Sequence, residues 1–140
     1  MTATRRLTGI IFSDLGRAAS FMALAWVQEA LKQRLGFAPF PATLNLRPQA
    51  PEDARLWATV RSESSDLALS AQAGGHCGAQ IYRVAIYKPG SPAGAKIGGA
   101  VLVPEVSEYP QDKIEVIAPM RLKENFAVQD GDLLTLEFVH

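Results

Sequence analysis

Residues 35–48 constrain this chain more than any other stretch: Leu35-Gly36-Phe37-Ala38-Pro39-Phe40-Pro41-Ala42-Thr43-Leu44-Asn45-Leu46-Arg47-Pro48. They read as a helix stop, a stiff turn and a short strand. Gly36 can take the left-handed conformation that ends a helix. Pro39 and Pro41 fix φ and drive Ala38 and Phe40 out of the helical region. In an extended strand alternate side chains share a face, so Thr43 and Asn45 point one way and Leu44 and Leu46 the other. A hydroxyl and an amide carbonyl side by side on a held backbone suit a cation or a phosphate. The plainer alternative is a half-buried strand with two polar residues on its wet side, and from these residues alone it is favoured.

The elements around this stretch are short. Residues 5–13 form a first strand, followed by a turn at Asp14-Leu15-Gly16-Arg17. Ser20 suits the N-cap of a helix running to Leu35, with Phe21, Leu24, Val27, Leu31 and Leu35 on one apolar stripe. This is the one long helix expected. Pro48 to Glu52 read as a loop. Residues 54–61 read as a strand, although a short helix also fits, and residues 62–78 are the least legible part. Residues 79–88 and 95–104 form a hairpin around the turn Pro89-Gly90-Ser91-Pro92-Ala93-Gly94. Residues 113–117 are a short strand, Pro119 opens a short helix through Phe126, Asp130-Gly131 is a turn, and residues 133–139 are the last strand. Six or seven short strands without a βαβ rhythm predict one domain over residues 1–140, a compact β-barrel decorated by one long and one short helix.

Composition excludes several classes. Net charge is zero, with 14 basic and 14 acidic residues, which argues against a nucleic-acid binder built on phosphate contacts. Cys77 is the only cysteine, so neither a disulfide framework nor a thiolate zinc site is expected. His76-Cys77 reads as a loop with a semi-buried thiol. No apolar run has the length of a membrane span and no signal-type core follows Arg5 and Arg6, so a cytoplasmic protein with no membrane partner is expected. Walker, dinucleotide-fingerprint, His-Glu-x-x-His and nucleophile-elbow signatures are absent from the sequence.

Three stretches remain for chemistry: residues 12–18, 42–46 and 104–123. Gly36-Phe37-x-Pro39-Phe40-x-x-Thr43-Leu44-Asn45-Leu46, then Ile114-Glu115-Val116-Ile117-Ala118-Pro119-Met120-x-Leu122, then Asp130-Gly131-Asp132, resemble the archaeal-type CTP-dependent riboflavin kinase family. The likeness runs through nearly the whole chain in one order. It implies a mainly β fold, a small six-stranded cradle-loop barrel, and transfer of the CTP γ-phosphoryl group to the riboflavin 5′-hydroxyl, giving FMN and CDP with Mg2+. By the same resemblance Thr43 and Asn45 hold the metal, and Ser107 and Glu115 contact the flavin. Met120, Arg121, Leu122 and Lys123 then contact the nucleotide, where a helix N-terminus with nearby cations would favour an anion. Glu115 is the only candidate catalytic carboxylate from the matched motifs; by strand alternation alone it would face solvent.

The first loop departs from the family. Its turn runs roughly Gly-Leu-Gly-Glu-Gly, whereas this chain has Asp14-Leu15-Gly16-Arg17-Ala18, so only Leu15 and Gly16 are kept. Glycines there let backbone approach a ligand closely. Asp14 repels phosphate and Arg17 attracts it. The CTP site is therefore either rebuilt or lost. The alternatives to a kinase are a non-catalytic flavin- or nucleotide-binding barrel module and a purely structural barrel. The expected partners are small molecules (CTP or CDP, riboflavin or FMN), with the chain a monomer or small homo-oligomer.

Overall fold

A computed structural model describes residues 4–14, 22–63, 65, 67–69, 78–92, 95–105 and 108–139. In chain order the elements are β1 (Arg5–Phe12), α1 (Ala25–Leu35), β2 (Leu44–Pro48), α2 (Pro51–Ser62), β3 (Leu67–Leu69), β4 (Ala79–Tyr87), β5 (Ile97–Pro104), β6 (Ile114–Ile117), α3 (Leu122–Phe126) and β7 (Leu133–Phe138). Every strand pairing is antiparallel. Strands run in the order β3-β4-β5-β6-β2-β1-β7, and β4 also pairs with β7, which closes a six-stranded barrel with β3 attached beside it. This is the barrel expected from the short-strand rhythm.

Strand alternation sorts the side chains into two cores. Leu7, Ile11, Leu44, Leu46, Val84, Ile86, Val101, Ile114, Val116, Leu134 and Leu136 come from the six barrel strands and pack with Trp57 and Val60 of α2 and Leu122 and Phe126 of α3. Leu69, Ile81, Ala100, Leu102 and Ile117 meet Val27, Leu31 and Leu35 of α1 in the second cluster, with Trp26 packed against it. Burial of this apolar surface is the main favourable term in folding.

Gly36 ends α1 at φ 86° and donates its N–H to the Lys32 carbonyl at 2.9 Å, as its position after the apolar stripe foretold. The last carbonyls of α1 find a partner from the barrel: Arg83 donates to the Arg34 oxygen at 2.7 Å and the Leu35 oxygen at 3.3 Å. The helix starts later than expected, at Ala25 after an extended Leu24 without a side-chain cap. Ser20 and Phe21 lie outside the described residues.

Residues 54–61 are a helix, not a strand, so the described residues include two long helices. Pro51 starts α2 with its φ already helical, and Pro48 ends β2 rather than opening a loop. Asp53 accepts hydrogen bonds at 3.0 Å from the Ala50 N–H and at 3.0 Å from the Thr8 N–H of β1. One carboxylate thus caps the helix and fastens it to the barrel. The short helix expected to open at Pro119 begins instead at Leu122, three residues later, and ends at Phe126.

Barrel curvature demands close backbone approach at Gly99. A Cβ there would lie within the contact radius of the Ile117 carbonyl oxygen and 2.7 Å from Ile86 Cδ1. Replacing Gly99 with alanine is expected to cost about 2 kcal/mol, read as a lower urea midpoint with an unchanged slope. An unchanged midpoint would mean that β5 and β6 do not need this approach.

Candidate functional site

Two neighbouring segments fix where β2 lies. The Phe40 N–H donates to the Ala118 carbonyl at 2.7 Å, which ties the proline turn to the end of β6. Register then aligns Phe12 with Asn45 and Asn45 with Glu115. Directly opposed residues on one face of an antiparallel pair stand side by side. Thr43, two residues before Asn45, joins them: its Oγ1 lies 3.4 Å from Asn45 Oδ1 and 3.4 Å from Glu115 Oε1. Leu44 and Leu46 go into the core. The sequence expectation that Thr43 and Asn45 share a face opposite the two leucines therefore matches the fold. The one hydroxyl proton of Thr43 cannot satisfy both acceptors at once, so the three residues leave an oxygen-rich spot.

Glu115 is on the outward face of its strand, but it is only 4% exposed, not open to solvent as alternation alone implied. Tyr109 covers it and donates its hydroxyl to Oε2 at 2.6 Å. Lys113 Nζ lies 3.9 Å from Oε1 and bonds Asp14 Oδ2 as well. Burial raises the Glu115 carboxyl above the usual carboxylate range; the Tyr109 hydrogen bond and the Lys113 charge pull the other way and do not cancel it. Burial and the adjacent carboxylate likewise hold the Tyr109 hydroxyl above its ordinary value.

Two clefts of about 130 Å³ each flank Thr43 and Leu44 and share Lys123 as a wall. One is lined further by Phe40, Ala118, Met120, Arg121 and Leu122. The other is lined by Phe12, Ser13, Asp14 and Asn45. Lys123 Nζ sits 2.9 Å from Asp130 Oδ1 and 3.3 Å from Ser13 Oγ, and that hydroxyl donates to Asp130 at 3.0 Å. These hydrogen bonds hold the Asp130 carboxyl below its ordinary range. Arg121 is exposed and pairs with Glu124 at 3.0 Å. It stands at the N-cap of a helix of only five residues, so the helix end expected to draw an anion is weaker than Pro119 suggested. A wider cleft of about 550 Å³ lies apart, between α2 and Gln111-Asp112.

The structure thus brings Thr43, Asn45 and Glu115 together and places Met120, Arg121, Leu122 and Lys123 on the adjoining cleft. Leu15, Gly16, Arg17 and Ser107 lie outside the described residues, as do His76 and Cys77. Sequence reasoning missed Tyr109 and Lys113 as partners of Glu115 and missed Asp130 as the partner of Lys123. Lys113 was signalled by its spacing, two residues before Glu115, which puts both side chains on one side of extended backbone. Tyr109 sits in a loop and gave no periodic signal. Among the described residues no group of three or more His, Cys, Asp or Glu is placed to hold a metal, so a metal here would need Thr and Asn oxygens.

A closed six-stranded antiparallel barrel with side-chain oxygens gathered on the β2–β6 pair defines a riboflavin-kinase-like barrel. The family model CTP-dep_RFKase, described as Domain of unknown function DUF120, matches residues 11–138, and the chain belongs to this family. It is 33% identical over 132 residues to the riboflavin kinase of Pyrobaculum islandicum, covering 94% of this chain and 59% of that protein. It is 34% identical over 143 residues to the riboflavin kinase of Pyrobaculum aerophilum, covering 98% of this chain and 62% of that protein. A more distant relative, the riboflavin kinase of Archaeoglobus fulgidus, is 26% identical over 141 residues, covering 97% of this chain and 55% of that protein. The chain spans about three fifths of the length of the first two relatives.

Proposed function

We propose that this chain is a CTP-dependent riboflavin kinase-type phosphotransferase, moving the γ-phosphoryl group of CTP to the riboflavin 5′-hydroxyl to give FMN and CDP. The observation that carries this reading is the meeting of Thr43, Asn45 and Glu115 beside two clefts that share Lys123. Family membership and the riboflavin kinase relatives support the choice of substrates.

The donor set fits magnesium. Thr43 Oγ1 and Asn45 Oδ1 lie 3.4 Å apart on one strand face, two oxygens with a single hydroxyl proton between them. Hard oxygen ligands suit this ion, and a site with few protein ligands is ordinary where phosphates supply the others. Thr43 and Asn45 would hold Mg2+, which when bound neutralises charge on the nucleotide phosphates.

Phosphoryl transfer asks little covalent work of a protein; positioning and charge stabilisation carry it. Glu115 Oε1 accepts the proton of the flavin hydroxyl, and Tyr109 holds the other oxygen and so orients the carboxylate. Burial makes Glu115 a stronger base than an exposed glutamate. Lys123 exchanges Asp130 for a phosphate oxygen, and Arg121 adds positive charge at the cleft. Leu15, Gly16 and Arg17 complete the nucleotide contacts, and Ser107 joins Glu115 on the flavin. The reading includes a cytoplasmic location, where nucleoside triphosphate is available.

Incubating the purified chain with CTP, riboflavin and Mg2+ is expected to yield FMN and CDP on chromatography, and chelation of the metal is expected to stop it. No FMN at high protein concentration would sink the kinase reading. One observation favours a second reading, a binding module without turnover: Asp14 lines the cleft beside Asn45 and Lys123, where the family resemblance leads one to expect glycine. Riboflavin fluorescence quenched by the chain without FMN formation would support that module.

A further inference from the structure

We propose that Lys113 is a positioning residue of the nucleotide site, balancing the charge of Asp14 so that a polyphosphate can occupy the cleft that Asp14 lines. This inference rests on the phosphotransferase reading. Lys113 is the residue just before β6, with its side chain 20% exposed. Its ammonium bonds Asp14 Oδ2, lies 3.9 Å from Glu115 Oε1, and sits 5.9 Å from the centre of the Tyr109 ring. One cation therefore faces two carboxylates and an aromatic face.

Of those two carboxylates, Asp14 lines the small cleft with Ser13 and Asn45, and Glu115 stands behind its Thr43 wall. Lys123, which lines the cleft, is engaged by Asp130. Like charges at this range repel one another, and both repel an incoming phosphate. A lysine paired with Asp14 removes the repulsion that its replacement of a glycine would otherwise bring. It also joins the segment leaving β1 to β6, since Asp14 follows that strand by two residues.

The test measures CDP binding by calorimetry in Mg2+ buffer, with thermal melts alongside. Lys113→Met keeps the packing of the lysine stem and removes its charge. It is expected to weaken CDP binding about tenfold or more, because the Asp14 carboxylate on the cleft wall loses its Lys113 ion pair. Lys113→Arg is expected to bind as the parent does. Asp14→Asn alone is expected to bind CDP about threefold tighter or more, because it removes a negative charge from the cleft wall while Lys113 keeps its charge beside Glu115. Adding Asp14→Asn to Lys113→Met is expected to recover most of the lost affinity. A merely structural ion pair predicts the opposite sign for Asp14→Asn, weaker binding with a lower Tm. Equal CDP binding by Lys113→Met and the parent, or weaker binding by Asp14→Asn, overturns the proposal and leaves the kinase reading standing. Should Lys113→Met fail to fold, the sign of the Asp14→Asn change decides. A parent chain that binds neither CDP nor riboflavin overturns both.

Discussion

Replacing Glu115 with glutamine is expected to stabilise the ligand-free protein at neutral pH and to remove nearly all riboflavin phosphorylation. The two effects share one cause. Glu115 is a carboxylate held among Tyr109, Thr43 and strand residues with almost no exposure. Burying a charge is costly unless it is fully partnered. Its ion-pair partner among the described residues, Lys113, is 3.9 Å away and is shared with Asp14. Burial raises its folded-state pKa above the unfolded value. A group shifted upward contributes stability below its unfolded pKa and loses it as pH rises through the folded pKa. As pH rises that contribution is lost and the buried site must carry the charge. Glutamine keeps the shape, accepts from Tyr109 and donates to Thr43. A gain on the order of 1 kcal/mol, roughly 3 °C in Tm, is expected at pH 7 and shrinks toward pH 4. Activity is expected to fall about a hundredfold or more, since proton acceptance by a placed base is worth this much. Melting curves across pH without metal or ligands check the first half, and initial rates check the second. A glutamine variant that is less stable at pH 7, or one as active as the parent, would contradict the role given to Glu115.

Asn45 is expected to show the largest loss of activity for the least structural change. Its amide lies on the outer face of β2 beside Thr43, while the adjacent Leu44 and Leu46 carry the packing of the strand. Asn45→Ala is expected to lower kcat/KM with Mg2+ and CTP by about two to three orders of magnitude, comparable to deleting one preorganised electrostatic contact. The Mg2+ concentration for half-maximal rate is expected to rise with it. The melting temperature should stay within a few degrees of the parent, because one hydrogen bond at the long 3.4 Å limit contributes little. Parent-like rates at low Mg2+ would remove Asn45 from the metal site.

How much of this was legible differs from residue to residue. The pairing of Thr43 with Asn45 was readable because a strand has a period of two and the prolines before it leave the backbone few alternatives. The left-handed stop at Gly36 and the hairpin of β4 and β5 were readable for the same local reason. Residues 54–61 misled because their apolar spacing fits both periods. The deciding signal was Pro51-Glu52-Asp53 just upstream, a helix start whose acidic third residue caps Ala50 and reaches Thr8. Of the surroundings of Glu115 only Lys113 left a signal, in its spacing two residues upstream. Strand spacing put it outward, toward water, yet Tyr109 and Lys113 close over it.

Local stereochemistry in the chain thus settled which segments extend, where the first helix stops, and which side Thr43 and Asn45 share. Tertiary pairing alone decided that Glu115, 72 residues beyond Thr43, stands beside them, and that Lys113 meets Asp14. The reason is physical. Backbone dihedral limits act between neighbours and are written in the sequence, whereas strand register and the burial of a charge arise only when the barrel closes and distant side chains displace water together.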